Sequence, residues 1–62
     1  MNTAEDLKAQ YLEAAIAYWE NGNRSTSARR AAAARRAIKG GVDVFTVNRT
    51  WDLEASQAAG VQ

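Results

Sequence analysis

Residues 28–41 read ARRAAAARRAIKGG, four consecutive alanines between two arginine pairs, followed by a short tail that closes on two glycines. Alanine has the highest intrinsic helix propensity, and arginine also favours helices. A glycine pair favours the end of a helix, because glycine readily adopts the backbone conformation that follows the last helical residue. The stretch therefore predicts a helix over about residues 28–39, with Ser25 or Ser27 as its N-cap.

This predicted helix has an alanine face and a basic face. At about 100° per residue, one side carries Ala31, Ala34, Ala37 and Ile38. The cations lie on the opposite side or its flank, and they are Arg29, Arg30, Arg35, Arg36 and Lys39, with Arg24 just before them. Because a smooth alanine face lets a second helix approach closely, we expect another helix to pack against it.

A longer amphipathic helix is predicted upstream, over about residues 4–21. Thr3 is a good N-cap, the acids that follow it suit the positive end of the helix dipole, and Gly22 suits the position after the end. Its apolar residues form two adjacent stripes, one of Leu7, Tyr11, Ala14, Ala15 and Tyr18 and one of Leu12, Ile16 and Trp19. The two helices predict a helical hairpin, but one short partner helix is not expected to cover both stripes.

The sequence changes character after the glycine pair. Residues 42–47 read VDVFTV, a β-branched and aromatic composition that favours extended structure. A lone strand needs a partner, so this segment would pair with its own copy in a dimer, add to a sheet on another protein, or lie extended across the hairpin. A short third helix is predicted over about residues 51–59, capped by Thr50, with Trp51, Ala55, Ala58 and Ala59 facing inward.

The elements together predict a single small domain over residues 1–62, all-α or mainly α: a helical hairpin, a short extended segment and a short C-terminal helix. A chain of this length buries only about 60% of its unfolded surface, and it has no Cys or His for disulfides or structural zinc. We therefore expect a homodimer, with Tyr11, Leu12 and Trp19 across its two-fold axis. The residues assigned to the core or to such an interface are Leu7, Tyr11, Leu12, Ile16, Tyr18, Trp19, Ile38 and Trp51.

Residues suited to side-chain catalysis are missing from the sequence. It contains no His, no Cys, no glycine-rich phosphate loop and no nucleophile elbow. Glu13 and Glu20 are seven residues apart, about 10 Å along a helix, which is typical of a solvated face. We expect no enzymatic activity, no cofactor and no metal site.

The charge is distributed unevenly along the chain. Residues 1–23 have a net charge of −3, residues 24–41 have six cations and no acid, and residues 42–62 have a net charge of −2. The candidate binding residues are Arg24, Arg29, Arg30, Arg35, Arg36 and Lys39. They predict docking on an acidic protein partner, binding along nucleic-acid phosphates, or a structural role in which they pair with acids of the same chain or of a second protomer.

The overall composition narrows these alternatives. A total charge of only +1 favours a protein partner, because DNA-binding domains usually carry a clear positive excess. Alanine, rather than large apolar residues, lies opposite the cations, so no membrane binding is expected. The first residues have no signal-peptide pattern, so a cytoplasmic location is expected. In size and composition the chain resembles the accessory proteins of phages and other mobile elements, some of which inhibit host machinery by docking.

Overall fold

The computed structural model describes residues 3–60, and most of this part of the chain is helical. Helix α1 spans Ala4–Glu20 and helix α2 spans Arg24–Lys39. A π-helical turn over Thr46–Trp51 leads directly into helix α3, Asp52–Ala58. The described residues contain no strand, so the prediction of a mainly-α fold is confirmed. No helix among them is both long enough and apolar enough to cross a bilayer.

Helix α1 begins with a reciprocal pair of hydrogen bonds. The backbone N–H of Asp6 donates to Thr3 Oγ1 at 3.2 Å, and the backbone N–H of Thr3 donates to Asp6 Oδ2 at 3.3 Å. This capping box gives partners to two backbone donors that the helix itself leaves open. The helix ends at Glu20, one residue before the predicted end, and the N–H of Asn21 then bonds to the carbonyl oxygen of Ala17.

Helix α2 begins four residues earlier than its predicted start at residue 28. Its N-cap is Asn23, and neither Ser25 nor Ser27 takes that role. Asn23 Oδ1 accepts the N–H of Thr26 at 2.9 Å, and Thr26 Oγ1 accepts the N–H of Asn23 at 2.9 Å. Because this second capping box satisfies donors at both positions, it outweighs the modest helix propensity of the serines and threonine that follow Arg24.

The glycine pair after α2 has two separate roles. Gly41 has a φ of 102°, a conformation that residues with a side chain rarely adopt. A Cβ atom on Gly40 would lie 2.6 Å from Leu7 Cδ1, so a larger residue at this position would force the Leu7 side chain to shift from its place against the end of α2. Leu7 is 3% exposed at this point. The turn therefore ends α2 and also closes one end of the core.

The prediction of an extended segment over residues 42–47 is wrong. Val44 and Phe45 are helical, and the π-helical turn follows them. Asp43 starts this helical stretch, since its Oδ2 accepts the N–H of Thr46 at 3.2 Å and its carbonyl oxygen accepts the N–H of Val47 at 3.1 Å. A strand would have no edge to pair with here, whereas a helix buries Val47, and tertiary packing overrides a weak β propensity.

The π-helical turn sets the direction of the residues that follow it. In an α-helix, residues four apart overshoot one turn of 3.6 residues by about 40°, so a row of them winds away from a flat neighbour. A wider turn reduces this drift. Val47, Trp51 and Ala55 are 0%, 7% and 0% exposed, so three successive turns contribute to the same core.

The core lies between the three helices and is small. Its buried residues are Leu7, Tyr11 and Ala15 from α1, Ala33 and Ala37 from α2, and Val47, Trp51 and Ala55 from the last helical stretch. The rings of Tyr11 and Trp51 are 6.1 Å apart between centroids and are tilted by 46°. Four of these eight residues are alanine, so the helices approach closely but bury little area per residue.

The core residues proposed from the sequence fall into three groups. Leu7, Tyr11 and Trp51 are buried; Leu12, Ile16 and Trp19 are half-buried and pack against the core; Tyr18 is half-buried; and Ile38 is exposed. The inward face of α2 is centred on Ala33 and Ala37, whereas the sequence placed Ala31 and Ile38 there. Ala58, expected to face inward, is exposed.

The arrangement corrects the expected dimer interface in one respect. Tyr11 is only 2% exposed and contacts Trp51 of the same chain, so its side chain is not available to a second protomer. Both stripes of α1 are buried or half-buried because α1 packs against α2, the π-helical turn and α3. A two-helix hairpin could not cover both of them.

Candidate interaction surfaces

Asp52 is the meeting point of all three helices. Its Oδ1 atom accepts hydrogen bonds from the Tyr11 hydroxyl at 2.8 Å and from Trp19 Nε1 at 3.2 Å, both on α1. Arg30 Nη1 of α2 donates to the same oxygen at 3.4 Å. We call these residues the Asp52 cluster. Because Tyr and Trp need partners for their polar atoms when their rings are removed from water, one carboxylate serves both rings and also fixes a guanidinium.

Arg30 differs from the other cations of α2. Its guanidinium carbon lies 4.0 Å from the centroid of the Tyr18 ring and 5.8 Å from that of the Trp19 ring. It also forms an ion pair with Asp52, and both side chains are less than a third exposed. The sequence grouped Arg30 with the binding residues, whereas the structure engages it inside the chain through a cation–π contact and a charged hydrogen bond.

The cluster also changes the acidity of Tyr11. Burial is the main cause that raises the pKa of the phenol above its ordinary value of 10.0, and the hydrogen bond and negative charge of Asp52 raise it further. The positive charge of Arg30 acts in the opposite direction. The phenol therefore stays protonated, and can donate to Asp52, at higher pH than an ordinary tyrosine.

The hydrogen bonds of the Asp52 cluster join the three helices to one another. Asp52 Oδ1 already accepts from three donors, which leaves that atom poorly placed to act as a base. Across residues 3–60 no group of three or more His, Cys, Asp or Glu side chains is arranged to hold a metal ion. The Tyr11 hydroxyl, Trp19 Nε1 and Arg30 Nη1 are thus all directed at Asp52 Oδ1.

The remaining cations of α2 are exposed. They are Arg24, Arg29, Arg35, Arg36 and Lys39. The ion pairs formed between described residues are Arg30–Asp52 and Lys8–Glu54, the latter at 3.0 Å between α1 and α3. None of the five exposed cations therefore has an ion-pair partner within the described chain, and their charge faces outward.

A groove of about 490 Å³ lies between α2 and α3, and we call it the α2–α3 groove. Arg35, Ala31, Ala34 and Ile38 line it from α2, and Asn48 lines it from the π-helical turn. Arg30 and Asp52 of the cluster also line it, together with Tyr11 and Ser27. The groove combines an unpaired guanidinium with an apolar strip.

A second groove, of about 300 Å³, lies between α1 and α2, and we call it the α1–α2 groove. Its floor consists of the half-buried alanines Ala14, Ala17 and Ala32. Its walls are lined by Gln10 and Glu13 from α1 and by Arg29 and Arg36 from α2. The two arginine pairs of the sequence are thus divided, since Arg30 and Arg35 line one groove and Arg29 and Arg36 line the other.

Large apolar side chains are also exposed along the last helical stretch. Val44, Phe45 and Leu53 are 49%, 64% and 58% exposed. The Arg49 guanidinium lies 5.4 Å from the centroid of the Phe45 ring and covers part of it. Arg24 and Lys39 line neither groove.

Sequence reasoning missed Asp52, Asn48 and Glu13 as members of these surfaces. Asp52 had one available signal, because Tyr11 and Trp19 rings that pack inward need an acceptor for their polar atoms. For Asn48 the expected extended segment hid the helical face that it occupies. No family model, no curated protein and no solved structure matches this chain.

Proposed function

We propose that this protein is a non-catalytic interaction protein that docks on an acidic, amphipathic segment of another protein through the α2–α3 groove. The position of Arg35 is the observation that carries the proposal. Its exposed side chain lines the groove beside Ala34 and Ile38, and it has no ion-pair partner in residues 3–60. Unpaired charge next to uncovered apolar surface is typical of protein interfaces, where arginine is enriched.

The chemistry of the groove defines the partner. A guanidinium fork binds a carboxylate through two parallel hydrogen bonds, so Arg35 suits an Asp or Glu of the partner. Ile38, 37% exposed, offers an apolar contact. The amide of Asn48 can both donate and accept, which suits a backbone or polar side chain. We expect a partner segment with an apolar residue on Ile38 and a carboxylate at Arg35.

The proposal includes no catalytic step. The acid of the groove, Asp52, is already engaged by three donors of its own chain. The sequence contains no His or Cys that could act as base or nucleophile. A protein of this kind acts by occupying a partner's surface, in the manner of an accessory or inhibitory protein.

Nucleic acid is the second candidate, and five exposed and unpaired cations on one helix favour it. The division of three of them between two grooves, Arg35 in one and Arg29 and Arg36 in the other, counts against a single continuous contact with nucleic acid. If five phosphate contacts did form, log affinity would fall against log salt with a slope of roughly −4.5.

Site-specific crosslinking tests the docking proposal. A photo-crosslinking amino acid would replace Ile38 in the groove, with replacement of the exposed Gln57 of α3 as the matched control. In cell lysate we expect a discrete crosslinked protein from position 38 alone. Mass spectrometry of the crosslinked peptide should show an Asp or Glu close to an apolar residue. Arg35→Glu should abolish the product, whereas Arg24→Glu should leave it unchanged.

A parallel titration distinguishes the second candidate. Labelled duplex and single-stranded DNA would be titrated at low and moderate salt with the native protein and with an Arg35→Glu/Arg36→Glu variant. Micromolar or tighter binding that is lost in the variant, while its helical circular dichroism persists, would contradict docking on protein and support nucleic-acid binding. Equal crosslinking from positions 38 and 57 would contradict the assignment of the groove.

A further inference from the structure

The α1–α2 groove is the open side of the helical hairpin. Every described residue that lines it belongs to α1 or α2, so α3 packs elsewhere and leaves it uncovered. Gln10 and Ala17 are seven residues apart on α1, and Arg29 and Arg36 are seven apart on α2. Each wall therefore extends along about two helical turns, roughly 10 Å. The groove is therefore long enough for about two turns of a helix from another chain to pack against it.

The floor of this groove lets other helices approach closely. Ala14, Ala17 and Ala32 are half-buried, and none has a side chain beyond Cβ. The core also contains few large side chains, since four of the eight buried residues among those described are alanine. Small domains with little core commonly gain stability from self-association.

The charges of the walls are arranged as a self-complementary set. Glu13 projects from the α1 wall, and Arg29 and Arg36 project from the α2 wall. All three are exposed, and the ion pairs recorded between residues 3 and 60 include none of them. A partner must present bases on one side and an acid on the other. A second copy of the groove presents that pattern.

We propose that two copies of this chain associate through their α1–α2 grooves, with Glu13 of each copy facing Arg29 and Arg36 of the other. The two-fold axis would run parallel to the helices. This rotation places α1 of one copy over α2 of its partner, and it keeps each residue at its own height along the bundle. Because Glu13 lines the same groove as Arg29 and Arg36, which are about 10 Å apart along α2, opposite charges then meet on both sides.

The alternative axis, perpendicular to the helices, is disfavoured by the same charges. It would place α2 over the partner's α2, so that Arg29 and Arg36 face arginines across the interface. Like charges opposite one another reduce affinity. The charge pattern therefore favours one two-fold arrangement. In it, the α1–α2 pair of one copy packs on the α2–α1 pair of the other, and the two α3 helices lie on the outside. This interface is separate from the α2–α3 groove and leaves Arg35 exposed.

Charge reversal tests the proposal. Sedimentation velocity of the native chain from low to high micromolar concentration should show a monomer–dimer equilibrium. Glu13→Arg alone and Arg29→Glu/Arg36→Glu alone should each weaken dimerisation by roughly tenfold or more. An equimolar mixture of these two variants should form a heterodimer, because each supplies the charge that the other lost. The matched controls Glu20→Arg and Arg24→Glu are exposed on the same two helices and line no part of this groove, so they should dimerise like the native protein.

The outcomes separate this proposal from the docking proposal. A native chain that is monomeric at high micromolar concentration would overturn the dimer. So would a dimer that survives both reversals, or one whose variants fail to recombine while circular dichroism shows that they are folded. Arg35→Glu should leave the dimer intact, so loss of crosslinking at position 38 and loss of dimerisation are independent results.

Discussion

The two flanks of α2 carry the same residue types but have different environments. On the α3 flank, Arg30 lies against the Tyr18 ring and bonds to Asp52. On the α1 flank, Arg29 is exposed and lines an open alanine groove. Neighbouring residues on a helix are about 100° apart, so each arginine pair divides between the two flanks. A basic run in a sequence is therefore not the same as a basic surface in the fold.

The difference between the flanks depends first on the large side chain that the π-helical turn brings to one of them. Trp51→Ala should have the largest effect, since it removes a ring that is 7% exposed and contacts Tyr11. Such truncations cost about 3–5 kcal/mol, comparable to the roughly 3–5 kcal/mol that a core of this size supplies. Circular dichroism with urea should show loss of the cooperative transition. Leu53→Ala, at a 58% exposed position of α3, should stay within about 0.5 kcal/mol of the native protein.

Alanine substitutions of the adjacent residues Arg29 and Arg30 test the difference between the two flanks of α2 directly. Arg30→Ala should lower the free energy of unfolding by about 1–2 kcal/mol, through loss of the cation–π contact and the bond to Asp52. Arg29→Ala should change it by less than about 0.5 kcal/mol. In an Asp52→Ala background the cost of Arg30→Ala should shrink, which a double-mutant cycle measures. Equal costs for Arg29 and Arg30 in urea titrations would refute the division of the flanks.

The pH dependence of stability sharpens the description of the α3 flank. The folded chain raises the pKa of Tyr11 above its ordinary 10.0, mainly through burial. Below pH 10 both states keep the phenol protonated, and the contribution is fully present. Above pH 10 the unfolded chain loses this proton and the folded chain keeps it, so stability should fall, by at most about 1.4 kcal/mol per pH unit. Denaturant titrations should show that Tyr11→Phe removes this component, whereas Tyr18→Phe retains it.

The smallest effect is expected at the edge of the fold, where Lys8 and Glu54 form an ion pair at 3.0 Å with side chains 40% and 49% exposed. Exposed pairs of this kind contribute about 0–1 kcal/mol and are screened by salt. Glu54→Gln should therefore lower stability slightly in low salt and not measurably in high salt. A large, salt-independent loss in urea titrations would mean that Glu54 has another role.

The sequence was most informative where local chemistry and packing agree. Thr3 caps α1, and Leu7, Tyr11 and Trp51 carry enough apolar area that burial could be expected. The start of α2 was missed because the Asn23–Thr26 pair was overlooked among four candidate capping residues. Residues 42–47 were misread because their β-branched composition is a local preference, while the burial of Val47 depends on two helices distant in sequence.

The candidate surfaces were harder to predict than the helices. Which cation turns inward depends on the rotation of α2 about its own axis, and a helix of alanine and arginine gives little indication of that rotation. The alanines at 31, 33, 34 and 37 are chemically equivalent, and only the shape of α1 and α3 selects Ala33 and Ala37 as the buried ones. The six cations were identified as a group, but their separation into one internal residue and five external ones required the fold.

The number of residues in the wide turn over Thr46–Trp51 determines the direction in which the side chains of α3 point around the helix axis. Rotation accumulates along a helix, so a change of one residue in this turn would redirect everything after it by about 100°. Asp52 would then point away from the Tyr11 hydroxyl and from Arg30, and Ala55 would leave the core, although no side chain had been altered. In this segment the number of residues carries structural information that composition does not, and a single-residue deletion there is a more severe change than most substitutions.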